Sequence, residues 1–230
     1  MNIVLHGDNP TKSRQEFQTL LDKAKSEGKE IIRLEDNLSL NMLKQALESK
    51  SLFGGKKAVF LENVYSRRVS DERSQIISYL EKYTDIEPEI IIWESKSVRV
   101  TSLRKLPKSW STKLFKLPVL LFKLLDSISP GKQSLFLPVY QKLLQDSAVE
   151  LVFFMLIRRV RELILAKSLG REGLNGAPWQ IGKLVGQAGA FELENLVMLY
   201  KKLGKIDFEI KSGQSKMDMR YHLDLWLADI

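Results

Sequence analysis

The segment Gly7-Asp8-Asn9-Pro10-Thr11-Lys12-Ser13 follows a short apolar run, at the place where a nucleotide-binding loop opens in an α/β protein. Its Lys12-Ser13 pair imitates the end of the phosphate-binding pattern G-x-x-x-x-G-K-S/T. The imitation stops there. The second glycine is missing and the loop is one residue short, so successive backbone N–H groups could not wrap a phosphate in the usual way. Lys12 reads instead as an exposed residue in the first turn of a helix. The run Ala58 to Leu61 ends in Glu62-Asn63, without the aspartate that holds magnesium in ATP-hydrolysing relatives of this pattern. ATP hydrolysis is therefore not expected.

Other chemistries find little support. The chain has no cysteine, which excludes disulfides, thiolate catalysis and thiolate-held metal. His6 and His222 are far apart and lack ligand spacing, so no metal is expected. No G-x-S-x-G, H-E-x-x-H or G-x-G-x-x-G occurs, and carboxylate pairs such as Glu192 with Glu194 read as solvated helix residues. We expect no catalytic residue and no cofactor.

Binding features are more informative. Ser51-Leu52-Phe53-Gly54-Gly55-Lys56-Lys57 puts two large apolar side chains beside a pair of glycines, where a turn should join a helix to a strand. Leu52 and Phe53 are either core at a helix end or an exposed apolar plug suited to a pocket on another protein. The formal charge of +8 is also unevenly spread: Lys96, Arg99, Arg104, Lys105, Lys108, Lys113, Lys116 and Lys123 lie between Ser95 and Leu125 with no acid among them. The remainder balances at 28 bases and 28 acids, so one block carries the whole excess. Such a block is either a phosphate-facing surface or a solvated helix with its loops.

These residues need elements to position them. The 230 residues, 44% apolar and 28% charged, are enough for one large domain or two smaller ones. Asn2 to His6, Glu30 to Leu34, Ala58 to Leu61, Ile90 to Trp93 and Lys113 to Leu117 read as strands, with helices between most of them, which is an α/β pattern. Phe17, Leu20, Leu21 and Ala24 recur at helical spacing before Gly28, and Leu40, Leu43, Ala46 and Leu47 do so after Asn37 and Ser39 as candidate caps. From Pro118 onward the chain reads as all helix: Val119 to Ser129, Lys132 to Gln145, Val149 to Leu169, Trp179 to Ala188, Glu192 to about Ile210 and Met217 to Ala228, with Gly170 to Pro178 as a loop. No internal repeat is visible. The longest apolar run, Leu151 to Ile157, falls far short of the roughly 20 residues that cross a bilayer, and Met1 leads straight into a strand. The expectation is a soluble, untargeted protein.

In this order the segments resemble the delta subunit of the bacterial DNA polymerase III clamp loader. The resemblance is carried in the first half by Ile3-Val4-Leu5-His6-Gly7-Asp8, by the Ser-Leu-Phe turn before Ala58-Val59-Phe60-Leu61-Glu62-Asn63, and by Ile90-Ile91-Ile92-Trp93-Glu94. In the second half it is carried by Arg158-Arg159-Val160-Arg161-Glu162-Leu163 with Lys167, Pro178-Trp179, Phe191-Glu192-Leu193-Glu194-Asn195-Leu196 and Asp207-Phe208-Glu209-Ile210-Lys211-Ser212-Gly213.

The resemblance implies a degenerate AAA+ (P-loop-like) parallel-sheet domain over residues 1–117, binding the clamp, and an all-α collar domain for oligomerisation over residues 118–230. The small helical lid of the family is missing, since Leu114-Phe115-Lys116-Leu117-Pro118 resembles the end of the first domain and Val119 to Asp126 already resembles the start of the collar. The collar itself looks trimmed at Gly173 to Pro178. By the same resemblance Ser51, Leu52 and Phe53 would enter the sliding clamp (beta subunit) and open it, while gamma/tau and delta-prime subunits would hold the collar. Primed DNA would lie near Trp179, which either stacks on a base or packs between collar helices, with Lys96, Arg99, Arg104, Lys105 and Lys108 on phosphates. The cytoplasm, at the replisome, is the expected location. The alternative from the residues alone is a stand-alone DNA-binding protein that uses the basic block and a helix-turn-helix-like stretch from Trp179 to Leu203.

Overall fold

The computed structural model describes residues 2–35, 38–49 and 54–230. The chain divides into two compact units, Met1–Leu117 and Pro118–Ile230. The first is an α/β unit around one five-stranded, all-parallel sheet. Its strands are β1 (Asn2–Gly7), β2 (Glu30–Leu34), β3 (Lys57–Glu62), β4 (Glu89–Trp93) and β5 (Trp110–Phe115), in spatial order β2-β3-β4-β1-β5. The helices of this unit are α1 (Pro10–Ser26), α2 (Leu40–Glu48), α3 (Asp71–Lys82) and the single turn α4 (Val100–Leu103).

Strands covered on both faces need apolar residues at successive positions, and β1, β3 and β4 have them. Alternation then divides their side chains between two cores. On one face Leu5, Phe60 and Ile91 meet Phe17, Leu21 and Ala24 of α1. On the other Val4, Val59, Leu61, Ile90 and Ile92 meet Leu43 and Leu47 of α2 and Ile76 and Leu80 of α3. The helical spacing read around Phe17 and around Leu43 is therefore the spacing of buried faces. Ser39 caps α2 by accepting from the Met42 N–H; Asn37, the other candidate cap, lies outside the described residues.

The sequence reading set the fifth strand at Lys113 to Leu117, and the structure moves it. β5 starts at Trp110 because it pairs along the whole of β1, from Asn2 opposite Trp110 to Gly7 opposite Phe115. Trp110 is buried and donates its indole N–H to the Tyr83 carbonyl at 3.1 Å. As an edge strand β5 shows little apolar continuity, so its register comes from β1.

The second unit is all α: α5 (Val119–Ser127), α6 (Gln133–Asp146), α7 (Val149–Leu169), α8 (Pro178–Ala188), α9 (Leu193–Lys211) and α10 (Met219–Ala228). α7 is its axis, packing against α5, α8, α9 and α10 and burying Val152, Leu156, Val160 and Leu163 at spacings of three and four. Trp226 of α10 donates to the Leu199 carbonyl of α9 at 3.0 Å, which fixes that pair of helices. The stretch read as a loop after α7 begins with a 3₁₀ turn, Gly170–Gly173. Only Lys116-Leu117-Pro118 stands between β5 and α5, so no domain is inserted at that junction. Among the described residues no helix is long and apolar enough to cross a membrane.

Candidate functional site

The carboxyl ends of the strands are where an open α/β sheet offers a ligand its crevice, and here the β1–α1 junction is filled by the protein itself. Gly7 has φ +142°, and a Cβ at this position would stand 2.1 Å from the Phe115 carbonyl oxygen. The backbone turns directly against β5, in a conformation that favours glycine. Four N–H groups at the start of a helix ordinarily await a partner. At α1 the Asn9 N–H donates to the Phe115 carbonyl at 3.1 Å, Pro10 has no N–H, and the Lys12 N–H donates to Asn9 Oδ1 at 3.2 Å. With the Gly7 and Ser13 N–H groups donating to the carbonyls of Lys96 and Asn9, most of the N–H groups that a phosphate would need at this position are engaged. Lys12 is exposed.

The side chains around the junction are equally committed. Ser13 is buried; its hydroxyl donates to the Pro10 carbonyl at 3.2 Å and accepts the Trp93 indole N–H at 3.0 Å. Arg14 lies over the Trp93 ring, 4.6 Å from its centroid, and pairs with Glu62 at the end of β3. Glu62 also accepts from Arg33 at 3.2 Å. The acid at the end of β3, the place from which a hydrolysing site holds its magnesium, is thus paired with two guanidiniums. The sequence reading recognised the missing glycine and aspartate and missed Arg14, whose role depends on how β3 and β4 stand beside α1.

Further along the edge, Glu94 is fully buried and accepts three bonds, from the Tyr65 N–H at 2.7 Å, the Ser66 N–H at 2.9 Å and the Ser66 hydroxyl at 2.5 Å. Burial raises its pKa, and those donors together with the charge of Arg73 oppose the rise. His6 is buried too, and its Nδ1 accepts the Val98 N–H at 3.3 Å. Burial lowers its pKa, with Asp8 opposing.

The candidate binding residues are distributed over both units. Ser51, Leu52 and Phe53 lie outside the described residues. Their flanks are described: Lys57, at the start of β3, is buried and donates to Ala46 O at 2.8 Å, Ser49 O at 2.7 Å and Ser49 Oγ at 2.9 Å, tying the end of α2 to the sheet. Lys96, Arg99, Arg104, Lys105 and Lys108 are exposed along the connection from β4 through α4 to β5, and none makes an ion pair among the described residues. Lys113 differs, being bonded to Glu16 at 2.6 Å. Trp179, at the start of α8, is 64% exposed, with Lys183 Nζ 5.7 Å from its ring centroid. It does not pack between the helices of this unit.

Residues 120–230 match the family model described as the C-terminal domain of the DNA polymerase III delta subunit. A search of curated protein sequences finds no significant match. Among solved structures the chain is similar to the DNA clamp loader delta protein of Bacillus subtilis, at 15% identity and a TM-score of 0.49, over 99% of this chain and 94% of that one. It is also similar to a DNA polymerase III gamma subunit-related protein of Thermotoga maritima, at 12% identity and a TM-score of 0.35, over 99% of this chain and 93% of that one. The family match spans nearly the whole helical unit, which is thus similar to the C-terminal domain of the DNA polymerase III delta subunit.

Proposed function

We propose that the chain is a delta-type clamp-loader subunit that binds and opens the sliding clamp for loading on primed DNA and hydrolyses no ATP itself. The observation that carries the reading is the family match of residues 120–230. The committed state of the β1–α1 junction supports the non-hydrolytic part: the N–H groups of Gly7, Asn9, Lys12 and Ser13, the Ser13 hydroxyl and Glu62 are engaged by the protein. The helical unit would act as the collar that assembles with gamma/tau and delta-prime subunits. Its exposed Phe154, Leu169, Phe208 and Tyr221 are the kind of large apolar surface that partners cover. The α/β unit would carry the clamp-binding turn at Ser51, Leu52 and Phe53, based on the ends that Lys57 holds together. Such a subunit would work in the cytoplasm, at the replisome.

Withdrawing Leu52 and Phe53 from an apolar pocket should cost roughly 2 to 4 kcal/mol, more than about tenfold in affinity. The double alanine variant, mixed with purified clamp on a size-exclusion column, is expected to lose the complex while melting at the parent's temperature. A variant that binds as tightly as the parent, or that unfolds because these residues are core, defeats the plug. The second reading, a stand-alone DNA-binding protein, is favoured by the unpaired bases from Lys96 to Lys108 and by exposed Trp179. It requires tight DNA binding by the chain without clamp or sister subunits.

A further inference from the structure

We infer that the α/β unit holds a small phosphate-binding site at the carboxyl ends of β2 and β3, away from the β1–α1 junction. A cavity of about 280 Å³ opens there on an apolar floor of Leu38, Val64 and Ile76. Three arginines, Arg67, Arg68 and Arg73, line it, against one acid, Glu72. The volume is slightly below the roughly 300–1,000 Å³ of sites that take a cofactor-sized molecule. A phosphate group with a small substituent suits it better than a whole dinucleotide.

The three guanidiniums are arranged for an anion rather than for internal ion pairs. Arg67 is anchored on the carbonyls of Glu35 and Leu38, and Arg73 on the carbonyl of Tyr65. Carbonyl anchors fix the side chains and, among the described residues, leave their charge without a carboxylate partner at ion-pair distance. The Nε of Arg73 is buried and has no acceptor. Arg68 is exposed, and its side chain makes no hydrogen bond or ion pair among the described residues. A planar fork with unused donors is the group best matched to two oxygens of a phosphate, and prior anchoring lowers the ordering cost of binding. An unmet N–H inside the protein is a donor that a ligand oxygen would satisfy.

The site is independent of the clamp reading, and its test uses the whole chain alone. Titration with inorganic phosphate, followed by calorimetry and by the arginine Nε–H resonances of ¹⁵N-labelled protein, is expected to saturate and to move the Arg73 Nε–H signal. Arg68→Ala removes a side chain that bonds none of the described residues, so its melting temperature should equal the parent's while phosphate affinity falls by about tenfold or more. Lys216→Ala, which removes one exposed charge from the other unit, should leave the affinity unchanged. Adenosine 5′-monophosphate separates the two sources: tighter binding than phosphate identifies an organic monoester as the ligand, and equal or weaker binding identifies the free anion. The site is refuted if phosphate gives no saturable signal in the millimolar range, or if Arg68→Ala binds it as well as the parent does.

Discussion

At the scale of single residues, His6, Ser13 and Glu94 at the carboxyl edge of the sheet are buried and each is hydrogen-bonded. His6 illustrates what this implies for pH. Its Nδ1 must stay unprotonated to accept the Val98 N–H, and burial holds its pKa below the ordinary value of about 6.5. The unfolded chain therefore takes up a proton first as the medium is acidified. Since stability rises with pH wherever the unfolded state binds more protons, this residue's contribution is complete above about 6.5 and is lost as pH falls toward the depressed folded value. Denaturant unfolding of the parent and of His6→Gln across pH 7.5 to 5.5 should show a decline below about 6.5 that is shallower in the variant. Identical profiles would remove His6 from the acid side of the stability curve.

At the scale of elements, Lys57 links the carboxyl end of α2 to the first residue of β3. A helix leaves its last carbonyls without partners, and a cation near them is favoured by both hydrogen bonding and the helix dipole. Here the ammonium makes three bonds, to Ala46 O, Ser49 O and Ser49 Oγ. Lys57→Met keeps the apolar stem and leaves those acceptors unmet, so it should destabilise the fold by about 1 to 3 kcal/mol, read from the urea midpoint. Because the same bonds set the separation between Ser49 and β3, the variant should also bind the clamp more weakly if the Ser51-Leu52-Phe53 turn is the contact. An unchanged midpoint would mean that water serves these acceptors as well as the lysine does.

At the scale of the whole molecule, the charge excess and Trp179 would make separable contributions to DNA binding in an assembled loader, if both face the DNA as proposed. Each phosphate neutralised by a base steepens the salt dependence of log affinity by about 0.9 on duplex DNA. Replacing Lys96, Arg99, Arg104, Lys105 and Lys108 together by alanine should flatten that dependence. Stacking contributes on the order of 1 to 3 kcal/mol per base with little salt dependence. Trp179→Ala should therefore weaken binding to primer-template junctions and keep the slope, and exposure of the ring at 64% predicts a melting temperature close to the parent's. Unaltered junction affinity would leave the basic block as the remaining DNA candidate.

The kinds of element were legible in the sequence because their causes are local. β-branched runs, the spacing of Phe17, Leu21 and Ala24 along α1, the Ser39 cap and the three-and-four spacing along α7 each act within a few residues. So was the loss of the phosphate loop, since a missing glycine removes the backbone geometry at its own position. What fills the vacated place could not be read, because Arg14 meets Glu62 and Ser13 meets Trp93 only once α1, β3 and β4 are side by side. The register of β5 came from its pairing with β1 rather than from its own weak pattern. The exposure of Trp179 and the arginine-lined cavity between residues 38 and 76 were likewise decided by tertiary structure. Burial and charge pairing are relations between distant residues, which the order of residues along the chain does not state.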